Sequence, residues 1–156
     1  MRQLLLVILV GICITWMACP FNSKMNLCEG KMEKVNKSML GEWQSSVNPK
    51  IYYYISQSSD NVYQILEVGN VPDSTKYFMY TTTIGGTQFA QIFEKEDMFY
   101  YYSLDFNSRA SQINLRAVSE SIPDNFSDSE DMRKYFKKHK VYSYFYDSTA
   151  EVFLRK

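Results

Sequence analysis

This sequence predicts an all-β fold: an antiparallel up-and-down barrel of roughly eight strands with one α-helix before the last two. Three observations carry that expectation. Residues 77–118 are short runs rich in β-branched and aromatic residues, broken by Gly85-Gly86 and by polar stretches at 94–97 and 107–110, the pattern of an antiparallel meander. Further runs of strand length flank this stretch on both sides. A single capped helical segment then interrupts the series near the C-terminus. The 156 residues suit one domain with a real core. The 13 Tyr and 10 Phe suit sheets whose faces are half wet, because tyrosine joins an apolar body to a polar tip.

The N-terminus reads as an address. Arg2 precedes an apolar run over 4–16, and Ala18 stands before Cys19. The run is the length of a signal-peptide core and short of the roughly 20 residues of a membrane span. Trp16 would occupy the −3 position of a cut after Ala18, where an ordinary signal peptidase prefers a small residue. A cut before Cys19 resembles the bacterial lipoprotein signal, although such signals usually carry an aliphatic where Trp16 stands and a small residue where Met17 stands. The resemblance implies a signal peptide over 1–18, lipid attachment at Cys19, and an exported protein held to a membrane of the bacterial cell envelope. Cys13 would leave with the signal. Cys28 is then a lone thiol; without lipid on Cys19, a Cys19–Cys28 disulfide is open to it in an oxidising compartment.

Residues 19–38 mix charge, Asn, Gly and Met without strand alternation and read as a flexible tether, with room for a short helix near 31–37. The barrel domain is expected over 39–156. It opens on Leu40-Gly41-Glu42-Trp43. A Gly-x-Trp at the start of the first strand resembles the opening motif of lipocalin-like barrels. That likeness implies that Trp43 plugs the closed end under a basic residue from the end of the last strand, the position held here by Arg155. Residues 44–49 are expected to bend this strand. Runs at 50–57, 62–68 and 76–83 have strand length and composition, with turn chemistry at 58–61 and 69–74. Gly85-Gly86 makes a tight hairpin, since both positions tolerate positive φ.

After 118 comes the helix. Ser127 and Glu130 fit the two ends of a capping box. Acidic residues lie in the first turn and Lys137, Lys138 and Lys140 at the end, which suits the helix dipole. Met132, Tyr135 and Phe136 share one face, which is expected to lie on the barrel. Residues 141–146 and 151–155 supply two final strands around Asp147-Ser148-Thr149.

From Gly85-Gly86 through the capped helix to Arg155, the order of elements resembles bacterial lipocalin-like lipoproteins of poorly characterised function. The likeness covers 40–156 in pattern. Two departures stand out. In lipocalins proper the helix follows the eighth strand, and no Thr-Asp-x-x-Tyr motif occurs here.

Alternation places Met98, Tyr100, Tyr102, Leu104 and Phe106 on one side of a strand, and Ile113, Leu115 and Ala117 on one side of the next. These, Ala117 apart, are the candidate ligand-binding residues. Whether Phe89 and Phe93 or Ala90 and Ile92 face inward is open, as is the choice between Tyr52 with Tyr54 and Ile51 with Tyr53 and Ile55. An interior of eight strands is either filled by side chains or holds one small ligand.

Other function classes lack a signal. Lys+Arg and Asp+Glu are both 17, so no basic excess points to nucleic acid. No Cys/His cluster suggests a metal, no cofactor motif occurs, and no nucleophile elbow, P-loop or zinc-protease motif is present. His139 sits among lysines at a helix end, and Asp105 and Glu67 are the carboxylates that alternation allows inside. The reading is therefore a non-enzymatic, membrane-tethered barrel for a small, mainly apolar ligand. The alternative is an envelope module whose filled barrel displays loops or outer tyrosines to a protein or glycan; no protein partner is identified.

Overall fold

The computed structural model describes residues 20–69 and 75–156. The signal segment 1–18, Cys19 and the turn residues 70–74 lie outside the described residues. The strands are β1 (Asn22–Ser23), β2 (Gly41–Ser45), β3 (Tyr52–Ser59), β4 (Val62–Val68), β5 (Lys76–Ile84), β6 (Thr87–Phe93), β7 (Phe99–Asn107), β8 (Gln112–Val118) and β9 (Tyr146–Arg155). One helix, α1 (Ser129–His139), lies between β8 and β9. From β2 to β9 each strand pairs antiparallel with the next, and β9 returns to β2 through Trp43↔Arg155 and Ser45↔Phe153. The expected eight-stranded closed barrel is therefore present, and closure leaves none of its strands with a free edge.

The strands divide differently from the expectation at both ends of the barrel. In place of the bend expected at 44–49, β2 ends at Ser45 and residues 46–51 separate it from β3. The Ser45 hydroxyl accepts from the Val47 and Asn48 amides (3.3 and 3.2 Å), and the Ile51 amide returns to the Asn48 carbonyl at 3.0 Å. Those turn bonds reverse the chain, so Trp43 faces Tyr53 across a hairpin. After α1, residues Ser143–Phe145 form a 3₁₀ turn, and a single strand runs from Tyr146 to Arg155. β8 offers partners along that whole length, from Val118↔Tyr146 to Gln112↔Leu154, with a bulge between Arg116 and Val118.

Gly85 and Gly86 take φ +56° and +83°, the pair of positive values a tight hairpin demands. The α1 cap sits one residue later than the capping box placed it. Asp128 is the N-cap, and its carboxylate accepts from the Asp131 amide at 2.8 Å. The Asp131 carboxylate in turn accepts from the Ser127 amide at 3.2 Å. Met132 and Phe136 are buried and Tyr135 half-buried, as the helical spacing required.

Residues 20–38 are not a flexible tether. Phe21 is bonded to two strands at once: its amide reaches the Val118 carbonyl at 2.8 Å, and its carbonyl takes the Tyr101 amide at 3.4 Å. β1 then lies beside the start of β7. Leu27 and Cys28 are fully buried under α1, where the Arg133 guanidinium ties the Leu27 carbonyl (2.8 Å) to the Thr82 hydroxyl (3.1 Å). The chain continues under the closed end, through Glu33 N to Thr81 O and Val35 N to Asp60 O, both 2.8 Å. No helix forms at 31–37; a 3₁₀ turn at Lys37–Met39 leads into β2. Backbone bonds to three strands and to the β3–β4 turn hold this strap, which explains why it needs no periodicity of its own.

Two cores result. One lies inside the barrel around Trp43, Ile65, Met79, Leu104 and Phe153. The other lies outside it, between β5–β7, the strap and α1, around Phe89, Phe93, Tyr101, Phe136 and Phe145.

Candidate functional site

The barrel's closed end is built first by Gly41, whose φ of +128° an L side chain rarely adopts, and whose turn brings Trp43 inward. The Trp43 indole is buried and donates to the Met39 carbonyl at 2.8 Å. Arg155 lies over the indole, 5.1 Å from its centroid, and Nη2 donates to the Ser38 and Leu40 carbonyls at 2.9 and 2.7 Å. The structure thus brings together Trp43 and Arg155, the two residues named from sequence for the closed end.

Above this plug is a cavity of about 440 Å³. That is within the roughly 300–1,000 Å³ of small-molecule sites. Its deep wall is apolar and buried: Ile55, Ile65, Met79, Leu104, Ile113 and Phe153. Its other lining residues are more open to solvent and form the mouth: Tyr53, Tyr77, Tyr100 and Tyr102 with Glu67, Glu94 and Glu151. Pro20 stands on the same lining, bridged to Ser119 just beyond β8.

The register explains which side chains turn inward. Met79↔Ile92↔Tyr100 and Ala90↔Tyr102 run across β5, β6 and β7, so Ala90 and Ile92 face the interior while Phe89 and Phe93 face out. Tyr53 and Ile55 face inward, paired with Glu67 and Ile65. Ile51 lies outside β3, and Tyr54 is 52% exposed on the outer face.

Of the residues proposed from sequence, Tyr100, Tyr102, Leu104, Ile113 and Leu115 line the cavity. Met98 does not; it precedes β7 in the turn where its amide meets the Lys95 carbonyl at 3.4 Å. Phe106 does not either, because it is spent on the plug, edge-on to Trp43 at 6.1 Å. Glu67 is on the lining, whereas Asp105 is exposed and accepts from the Asn114 amide nitrogen at 3.2 Å. Ile65, Tyr77, Met79, Glu94, Glu151 and Phe153 were not singled out from sequence, and Ile92 was one of two open alternatives. Knowledge of the strand register was needed, because β5 and β6 are buried on both faces.

The mouth is electrostatically one-sided. Burial, then the Glu67 charge, pushes the Tyr53 and Tyr77 phenols above their ordinary range; burial, then Glu151, does the same to Tyr102. All three remain protonated donors at neutral pH. The Glu151 carboxyl is also held above the usual carboxylate range, first by its partial removal from water and then by Glu67. These groups therefore sense one another across a single opening.

Two other residues singled out from sequence lie elsewhere. His139 stacks on Tyr135 at 4.0 Å and hydrogen-bonds the Tyr144 hydroxyl on the outer surface. Cys28 is a buried thiol whose pKa burial pushes up to about 12, with Arg133 opposing, so it is poorly reactive at neutral pH. Comparison with known proteins finds no matching family model, no matching curated protein and no matching solved structure.

Proposed function

We propose that this chain is a lipocalin-like lipoprotein, tethered to a bacterial envelope membrane through lipid on Cys19, that binds a small, mainly apolar molecule in its barrel without transforming it. The cavity carries this reading. Despite 13 Tyr and 10 Phe, the interior keeps about 440 Å³ of space over a wall of Ile, Leu, Met and Phe. A cavity of that size with an apolar lining and a few convergent polar groups is the usual form of a small-molecule site. Recovery of the protein from its host followed by native mass spectrometry should reveal a bound small molecule that is lost on denaturation. A protein that arrives empty and takes up no added apolar probe would end the binding claim. Cys19→Ala should abolish lipid labelling and release the chain from the membrane fraction.

One observation favours the second reading, an interaction module of the envelope. Val141, Tyr142 and Tyr144 are 72%, 48% and 52% exposed, and the two tyrosine rings stack at 5.5 Å beside His139. Exposed aromatic surface of this kind often marks contact with another molecule. Tyr142→Ser with Tyr144→Ser would abolish partner capture under that reading and leave cavity binding intact.

A further inference from the structure

The polar groups of the cavity are carboxyls and phenols, with no positive charge among them. Three carboxylates and four tyrosines stand on its lining, and none of the described lining residues is Lys, Arg or His. β4 places Glu67 opposite Tyr53 of β3, and β9 places Glu151 opposite Leu115 of β8. Tyr53 also packs edge-on against Phe153 at 5.3 Å, two residues along β9 from Glu151, so both carboxylates border one region of the cavity.

This arrangement discriminates among ligands that share an apolar body. A fatty acid would bring its carboxylate beside Glu67 and Glu151, adding a third negative charge where the first two already repel. Like charges brought together in a partly shielded site are a strong rejection device. A neutral alcohol would hydrogen-bond a tyrosine or a carboxylate but brings no charge to offset the repulsion. An ammonium would relieve the repulsion between the carboxylates and offer its charge to tyrosine ring faces, which attract cations through their quadrupole. The deep wall meanwhile supplies the burial that any apolar body requires.

Resting on the reading of the cavity as a ligand site, we propose that the barrel selects cationic amphiphiles: an apolar body carrying an amine or quaternary ammonium head, held between Glu67, Glu151 and the mouth tyrosines. The head stays at the opening, and the body reaches toward Trp43.

Three probes with one apolar body test this: 4-phenylbutylamine, 4-phenylbutanol and 4-phenylbutanoate, titrated calorimetrically into the full chain. The amine should bind about tenfold more tightly than the alcohol, and the carboxylate more weakly than either. Glu67→Gln with Glu151→Gln should bring the amine to within about twofold of the alcohol. Glu151→Lys should reverse the order and favour the carboxylate, a gain that misfolding does not produce. If none of the probes binds, the cavity reading itself falls. If the alcohol or the carboxylate binds as well as the amine, the cavity reading stands and the charge preference is refuted.

Discussion

The two faces of β5, β6 and β7 have the same kinds of residue and opposite fates. On the outer face Phe89 meets Phe136 at 5.2 Å, Phe93 meets Phe99 at 5.3 Å, and Tyr101 meets Phe136 at 5.9 Å, all edge to face. On the inner face Tyr100, Tyr102, Met79 and Ile92 border open space. Aromatic pairs of that geometry contribute about 0.5–1.5 kcal/mol each beyond their buried area. The difference teaches that the barrel is braced from outside. With the strap and α1 closing a dense aromatic core on the outer face, the inner face is free to stay unfilled.

The comparison breaks most sharply at Phe136. Phe136→Ala should cost about 3–5 kcal/mol, read from denaturant unfolding, because the ring joins α1 to Phe89, Tyr101 and Phe145. A loss below about 1 kcal/mol would show that the outer core is not the brace. Arg133→Ala comes next, at about 1–3 kcal/mol, since it leaves the buried Leu27 carbonyl without its donor. Limited proteolysis should then cut within 20–36 before it cuts the barrel; simultaneous cleavage of both would count against a separately held strap.

Arg155→Ala removes two hydrogen bonds and a cation from the closed end but leaves the indole buried. About 1–2 kcal/mol is expected, with a shift in Trp43 fluorescence. Leu115→Ala is the counter-test on the inner face. A buried Leu→Ala normally costs about 2–5 kcal/mol, but Leu115 is half-buried beside space that already exists, so less than about 1 kcal/mol is expected. A core-sized loss there would mean the cavity collapses in solution.

The smallest effect is the pH dependence at Glu151. Its carboxyl is raised in the folded state, so the native protein holds this proton more tightly than the unfolded chain does. Protonation therefore favours the fold, and the penalty grows as pH rises through the folded pKa. Asp147 is shifted in the same direction, so wild type must be compared with Glu151→Gln to isolate one group. The variant should melt higher at neutral pH, and the two should converge near about pH 3, where both states of Glu151 are protonated. A constant gap across pH would remove the carboxylate from the explanation.

Strand existence was legible because runs such as Val62–Val68 combine β-branched residues with clear turn chemistry at their ends. The face of each central strand was not. Alternation reports a buried face only when the other face is wet, and in β6 Phe89, Ala90 and Gln91 are all buried. The strap was illegible for another reason. Phe21, Leu27 and Cys28 are its buried residues, and their spacing follows neither strand nor helix because the segment crosses three strands and a turn in succession. The plug was the most readable part of the site: Gly41, Trp43 and Arg155 are each of a type that few other residues could replace there. Glu94 was hidden because a carboxylate just past a strand end looks the same in sequence whether it edges a cavity or a solvent-facing turn, and Glu151 because it was expected to start a strand whereas it lies in the middle of β9.

Pro20 has a geometric consequence. Its place on the cavity lining, beside Ser119 past the end of β8, puts the first described residue at the mouth and not at the plugged end. Successive Cα atoms lie about 3.8 Å apart, so a lipid on Cys19 would moor the barrel within a residue or two of its own opening. Under the proposed lipidation, such a leash would set orientation as well as location. The cup would be held rim-down against the bilayer, and a ligand would reach it by lateral movement in the membrane surface, without first crossing free water.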